Sequence, residues 1–223
     1  MEDKVMKSLR TCPLFAGMSD VEIELTLDNV PHQLVSLPAH EVYALAGMPC
    51  RHVDIVVSGF LICRMAALSG KQVEVSRLRS GNLVAPAFVF SKDRSLPVSV
   101  ETDGKVDLFR MQPEALKTLM DTDETIRMNF IRILSNIDVF LTHKMKILSL
   151  FTVREKVAYL LLERAGEQGS DEIYLERSRQ EIADSFGIQK FSLLRVLSDL
   201  EKEGVIEIKG KNIKILDRHK LSR

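Results

Sequence analysis

The 223-residue chain has no apolar run near the roughly 20 residues a bilayer-crossing helix needs, and its start, MEDKVMKSLR, shows no secretory pattern. A cytoplasmic protein with no membrane partner is therefore expected. Cysteine is scarce: Cys12, Cys50 and Cys63 are scattered, and no C-x-x-C pair occurs. That excludes a disulfide framework and falls short of the four thiolates of an all-cysteine iron–sulfur cluster. Free structural thiols in a reducing compartment fit. Net charge is also missing, with 31 basic side chains against 31 acidic ones. A polyanionic partner must then be met by a local patch rather than by the field of the whole molecule. No Walker loop, dinucleotide fingerprint or Ser/His/Asp constellation occurs, so an enzyme is not expected.

Hydrophobic content of 45% and charged content of 28% belong to a globular chain with room for one large or two modest domains. Up to about residue 30 the texture is helical, with Ser19 an N-cap before Val21, Ile23, Leu25 and Leu27. From Pro31 to Leu108 it becomes β-rich. The runs HVDIVVSGFLICRM, KQVEVSRL and LPVSVET are separated by turn signals at Gly47, Gly59, Gly70, Gly81 and TDGK. Strands so spaced predict a compact all-β barrel or roll, and the chain as a whole an α+β fold.

Between Asp123 and Phe151 there is neither glycine nor proline. Ile126, Phe130, Ile133, Ile137, Phe140, Ile147 and Phe151 recur at alternating gaps of four and three, interrupted only by Lys144. That heptad predicts a long helix with a dimer seam. Leu134, Leu141, Met145 and Leu148 lie beside the seam, as they would on one helix packed against its own domain. One face toward a partner and its flank toward the β domain accommodates both. TVRE, Thr152 to Glu155, reads as a capping box opening a new helix, so the expected segments are 1–122, 123–151 and 152–223.

The segment SRQEIADSFGIQKFSLLRVLSDLEKEGVI then offers Ser178 as an N-cap with Glu181 three residues on, and Gly187 as a turn. Ile182 and Ala183 of the first helix, and Leu193, Val196, Leu197 and Leu200 of the second, face inward. Gln189, Lys190, Phe191, Ser192 and Arg195 remain on the outward N-terminal part of the second helix, the part that meets base edges. Arg195 suits a bidentate grip on guanine, Lys190 a base or phosphate, and Phe191 a thymine methyl. Arg179 and Gln180, opening the first helix, join these candidate DNA contacts. VIEIKGKNIKILD reads as a β-hairpin, which makes the whole a winged helix-turn-helix.

Together these segments resemble the CRP/FNR superfamily of bacterial transcription regulators. CPLFAGMSD is similar to that family's N-terminal entry, HVDIVVSGFLICRM to its cyclic-nucleotide-binding-like β roll, the heptad helix to its dimerisation helix, and the C-terminal segment to its winged head. The resemblance implies a homodimer on a two-fold DNA operator, with RNA polymerase as a further partner and an effector in the roll. It places Ala85, Pro86, Phe88, Arg94, Ser95 and Leu141 at the effector pocket. Ala85-Pro86 stands where cyclic-nucleotide-binding members carry Gly-Glu, which argues against cyclic AMP: proline brings no amide donor and no carboxylate. The N-terminal cysteine cluster of oxygen-sensing members is missing as well. The loop from Pro86 to Val100 is similar to the HcpR-like subgroup, which implies heme as cofactor and nitric oxide as signal in nitrosative stress. Met145 and His143 are the candidate heme residues. Another small-molecule effector is the alternative within the family. A cupin-like β-roll metalloenzyme is the alternative outside it, and the five dispersed histidines, with no H-x-H pair, speak against that.

Overall fold

The computed structural model describes residues 2–66 and 72–222; Gly70, an expected turn, and Lys71, which opens KQVEVSRL, lie outside the described residues. Two compact units emerge, Met1–Val139 and Phe140–Arg223, so the division falls inside the long helix rather than at 149–152.

The first unit opens with α1 (Asp3–Thr11) and α2 (Asp20–Leu27). Ser19 and Glu22 close a complete capping box on α2. The helical period then sends Ile23 and Leu27 into the core and leaves Val21 and Leu25 in solvent. Seven strands follow: β1 (His32–Leu37), β2 (Val42–Ala44), β3 (Val53–Ser58), β4 (Leu61–Ala66), β5 (Gln72–Leu78), β6 (Ser99–Thr102) and β7 (Val106–Met111). They form two antiparallel sheets, ordered β1-β7-β3 and β2-β6-β4-β5. Val56, Leu61, Cys63, Val100 and Leu108, from both sheets, share one apolar cluster. This is the expected β roll. Gly59 joins β3 to β4 at φ +79°, and any Cβ there would lie 2.3 Å from the Lys105 carbonyl oxygen, so no other residue fits.

Every residue of β3 up to Val57 is buried, including Asp54. Its carboxylate is paired across the ladder with Arg110 of β7, which donates from Nε at 2.8 Å and Nη2 at 2.7 Å, while Tyr43 Oη donates at 2.7 Å. Three donors in place of water are what a buried carboxylate requires. Burial beside that charge pushes the Tyr43 phenol far above its ordinary range.

After β7 come α3 (Pro113–Thr122), which the sequence pattern had not marked, and α4 (Glu124–Leu150). Proline at its first position suits α3, since the missing N–H has no helical partner there. The long helix is present, and most of its four-three seam faces inward, while Phe140 is left exposed. Ile126 and Phe130 are buried in the core of the first unit, with Ile133 packed on them. Ile147 is buried in the core of the second. Asn129 also points inward, donating to the carbonyls of Leu14 and Ala16 at 3.0 and 2.9 Å. Of the residues expected at a dimer interface, Ile126, Phe130 and Ile147 are packed inside one chain, Ile133 and Ile137 are half-buried, and Phe140 is exposed. Ile131, Leu141, Met145 and Leu148, on the flank, are exposed, as are Val139 and Phe140.

The second unit adds α5 (Val153–Gln168), β8 (Glu172–Tyr174), α6 (Arg179–Ser185), α7 (Lys190–Lys202), β9 (Ile206–Lys209), β10 (Asn212–Ile215) and α8 (Arg218–Leu221). Thr152 with Glu155, and Ser178 with Glu181, form full capping boxes. The hairpin of β9 and β10 turns at Gly210 and takes β8 as a third strand, in the order β8-β10-β9.

Replacing Asp54 by Ala should cost about 3 kcal/mol, the loss expected when one member of a buried ion pair is removed. Urea unfolding of the variant beside the parent measures it; an unchanged midpoint would show that the Asp54–Arg110 pair contributes nothing net.

Candidate nucleic-acid interface and effector cavity

In the second unit α6 and α7 are set at a turn made by Gly187 at φ +62°. Leu193, Leu197 and Leu200 are buried beneath α7 together with Ile182 and Ala183 of α6, and Val196 and Ile188 are partly buried on the same cluster. The opposite face of α7 presents Lys190, Phe191, Leu194 and Arg195 to solvent. Lys190 has no ion pair among the described residues, and Arg195 has only a loose contact to Asp199 at 4.0 Å. Gln189 is the N-cap residue of α7 but its side chain makes no cap bond. The first-turn amides of α7 are thus free of side-chain capping, unlike those of α5 and α6.

The sequence-derived DNA contacts divide accordingly. Gln189, Lys190, Phe191 and Arg195 are exposed on one face. Ser192 is half-buried at the edge of that face. Arg179 is committed to the wing, where its Nη2 donates to the Gly210 carbonyl at 2.9 Å, and burial pulls its pKa down. Gln180 donates to Asp184 at 3.0 Å along α6. Leu194 was missed, although its place one turn after Lys190 puts it on the same face.

Lys156 was missed as well. It is buried on α5, and its ammonium donates to the Leu148 carbonyl at 3.0 Å and the Phe186 carbonyl at 3.3 Å. Leu148 lies in the last turn of α4 and Phe186 is the C-cap of α6, so one cation meets the negative ends of two helices. Lys144, the interruption in the heptad, stands 5.8 Å from the Phe140 and Phe186 ring centres. A cation over two aromatic faces explains a lysine on an inward stripe.

In the first unit the roll carries an open cavity of about 390 Å³. Its walls include Cys63, Ser76, Asn82, Val84, Pro86, Phe88, Val98 and Ile137. Among the described residues no charged side chain contributes. Ala85, Pro86 and Phe88 line it as expected; Ala85 takes a left-handed φ of +48° to start the short turn Pro86–Phe88. Arg94, Ser95 and Leu141 do not line it. The Arg94 carbonyl and the Ser95 backbone are instead tied to Cys50 and Pro49. Among the described residues a phosphate would find no cation in these walls.

Heme needs an axial donor. The lining contains no His, Met or Tyr, so Met145 and His143, both exposed on α4, are not among the donors it offers. Cys63 is the one soft donor among the described lining residues. Burial raises its thiol pKa, with a smaller lowering from Ser76, so it stands as a neutral thiol. No group of three or more His, Cys, Asp or Glu among the described residues could hold a metal ion.

Residues 155–223 match the Crp-like helix-turn-helix domain family. Electron transport regulator A of Shewanella oneidensis is 30% identical over 112 residues, which cover 48% of this chain and 45% of that protein. The chain thus spans about half the length of that curated relative. FixK2 from Bradyrhizobium japonicum is similar in structure, with a TM-score of 0.61 at 19% identity over 86% of this chain and 96% of that one. Catabolite activator protein of Thermus thermophilus gives 0.56 at 21% identity, covering 94% and 96%. These solved structures share the fold.

Replacing Lys156 by Ala should leave the buried Phe186 carbonyl and the part-buried Leu148 carbonyl without this donor and cost about 1–3 kcal/mol. Thermal unfolding followed by circular dichroism checks this; an unchanged Tm would mean that water replaces the ammonium at no cost.

Proposed function

From a chain whose C-terminal domain belongs to the Crp-like helix-turn-helix family, on the fold shared by CRP/FNR transcription regulators, we propose a DNA-binding regulator gated by a small molecule in its β roll. The observation that carries the DNA-binding reading is the outward face of α7. Two exposed cations and uncapped first-turn amides stand on a helix whose other face is locked in the core. Such a helix enters a major groove with its N-terminal residues against base edges and its amides toward phosphate. Neutral overall charge is no obstacle, because Lys190 and Arg195 supply a local cationic patch.

The active species in this reading is a homodimer. Ile131, Leu134, Leu141, Met145 and Leu148 follow one another along α4 at gaps of three, seven, four and three, with Asp138 in the remaining heptad position. All but Leu134 are exposed. Two copies pairing through this stripe present two recognition helices to half-sites one helical turn apart.

The effector is an uncharged, largely apolar small molecule, because the cavity offers shape and hydrophobic surface but no charge. Cyclic nucleotides are disfavoured for that reason. Cys63 in the wall supports a second reading, heme with nitric oxide as the signal. Heme would supply an iron centre able to bind the gas, and Cys63, on losing its thiol proton, is the residue that would hold it.

Arg195→Ala should abolish selective binding while light scattering still shows a dimer. In fluorescence anisotropy the parent should lose DNA affinity steeply as salt rises; salt-independent binding would refute the DNA reading. Leu141→Asp combined with Met145→Asp should produce a monomer at micromolar concentration, and a persisting dimer would exclude the α4 stripe. Hemin titration distinguishes the two effector readings: a saturable Soret band lost in Cys63→Ala and kept in Met145→Ala supports heme, whereas the spectrum of free hemin eliminates it.

A further inference from the structure

Phe191 is 73% exposed and Leu194 42% exposed. Three residues apart on α7, they share one helix face and lie between Lys190 and Arg195. Neither serves the core, which Leu193, Leu197 and Leu200 fill from the opposite side. A large aromatic ring and an isobutyl group in water, flanked by two cations, form an apolar patch on the very surface that a major groove would cover.

We propose that Phe191 and Leu194 are specificity-determining residues that select duplexes with thymine methyl groups at one or two positions of each half-site. The inference rests on the DNA-binding reading and adds the chemistry of what is read. Neither side chain has a donor or acceptor, so neither can discriminate bases through hydrogen bonds. Among the four base pairs, only thymine places an apolar group, its C5 methyl, on the floor of the major groove. Polar base edges facing these side chains would lose water without a replacement partner and would be rejected. Arg195, next on the helix and free of any tight ion pair, supplies the hydrogen-bonded contact to a neighbouring guanine. Apolar contact at the start of the helix and a bidentate cation one turn later thus divide the readout between methyl and guanine.

The test uses the full chain. Duplexes are first selected from a random pool, and each thymine of the selected site is then replaced singly by deoxyuridine, which removes the C5 methyl and leaves every hydrogen-bonding group intact. Affinity should fall about fourfold at one or two positions per half-site, the loss corresponding to one buried methyl-sized group, and remain unchanged elsewhere. Phe191→Ala and Leu194→Ala should bind more weakly and become insensitive to deoxyuridine at their own position, with the slope of affinity against salt unchanged. Introducing 5-methylcytosine for cytosine at a sensitive position should recover part of the methyl contribution. If the parent selects a sequence, binds it with steep salt dependence and ignores every deoxyuridine, methyl reading is overturned while DNA binding stands. If no duplex is bound at all, both fall. The measurements on the parent protein decide the question even if a variant fails to fold.

Discussion

The inner face of α4 is the constraint on which the rest of the molecule depends. A helix of 27 residues carries apolar side chains around more than one stripe, and only one of these can enter its own chain's cores. Ile126 and Phe130 complete the core beside the β roll, and Ile147 completes the core beneath the helix-turn-helix. Once that face is consumed, the adjoining exposed stripe is what remains for a partner. Burying it on a second copy would remove from water an apolar patch that a monomer would otherwise keep exposed.

The β roll combines two opposite solutions for polar groups. At Asp54 a full charge is buried, and Arg110 with Tyr43 satisfies it completely. At the cavity no charged side chain among the described residues is present, and the walls are apolar with a few hydroxyl, amide and thiol groups. A ligand entering there is chosen by shape and desolvation, which is why the chemistry inferred for the effector departs from a charged nucleotide.

The head domain applies the same economy to its helix ends. Capping boxes seal the N-termini of α5 and α6, and Lys156 seals two C-termini at once. Only α7 keeps an open N-terminus, on the face where Phe191, Leu194 and Arg195 stand exposed. The neighbouring helix ends are tied by hydrogen bonds while the first turn of α7 has no side-chain cap.

Local signals were legible in the sequence because their physics is local. Ser19, Thr152 and Ser178 each stand three residues before a glutamate, and that spacing alone dictates the capping boxes; Gly59, Gly187 and Gly210 mark turns with positive φ; Leu193, Leu197 and Leu200 repeat at the helical period. The β-rich segment, the long helix and the position of α7 follow from such patterns, whereas α3 carried no signal that marked it. What tertiary structure alone decided was which of two neighbouring stripes on α4 turns inward, because Ile126 and Met145 are equally apolar in a sequence and differ only in what packs against them. It also decided that Arg179 is held by the Gly210 carbonyl, that Lys156 bridges two helix ends, and that no charge lines the cavity. Those facts depend on residues far apart in the chain meeting in space, and periodicity carries no record of such meetings.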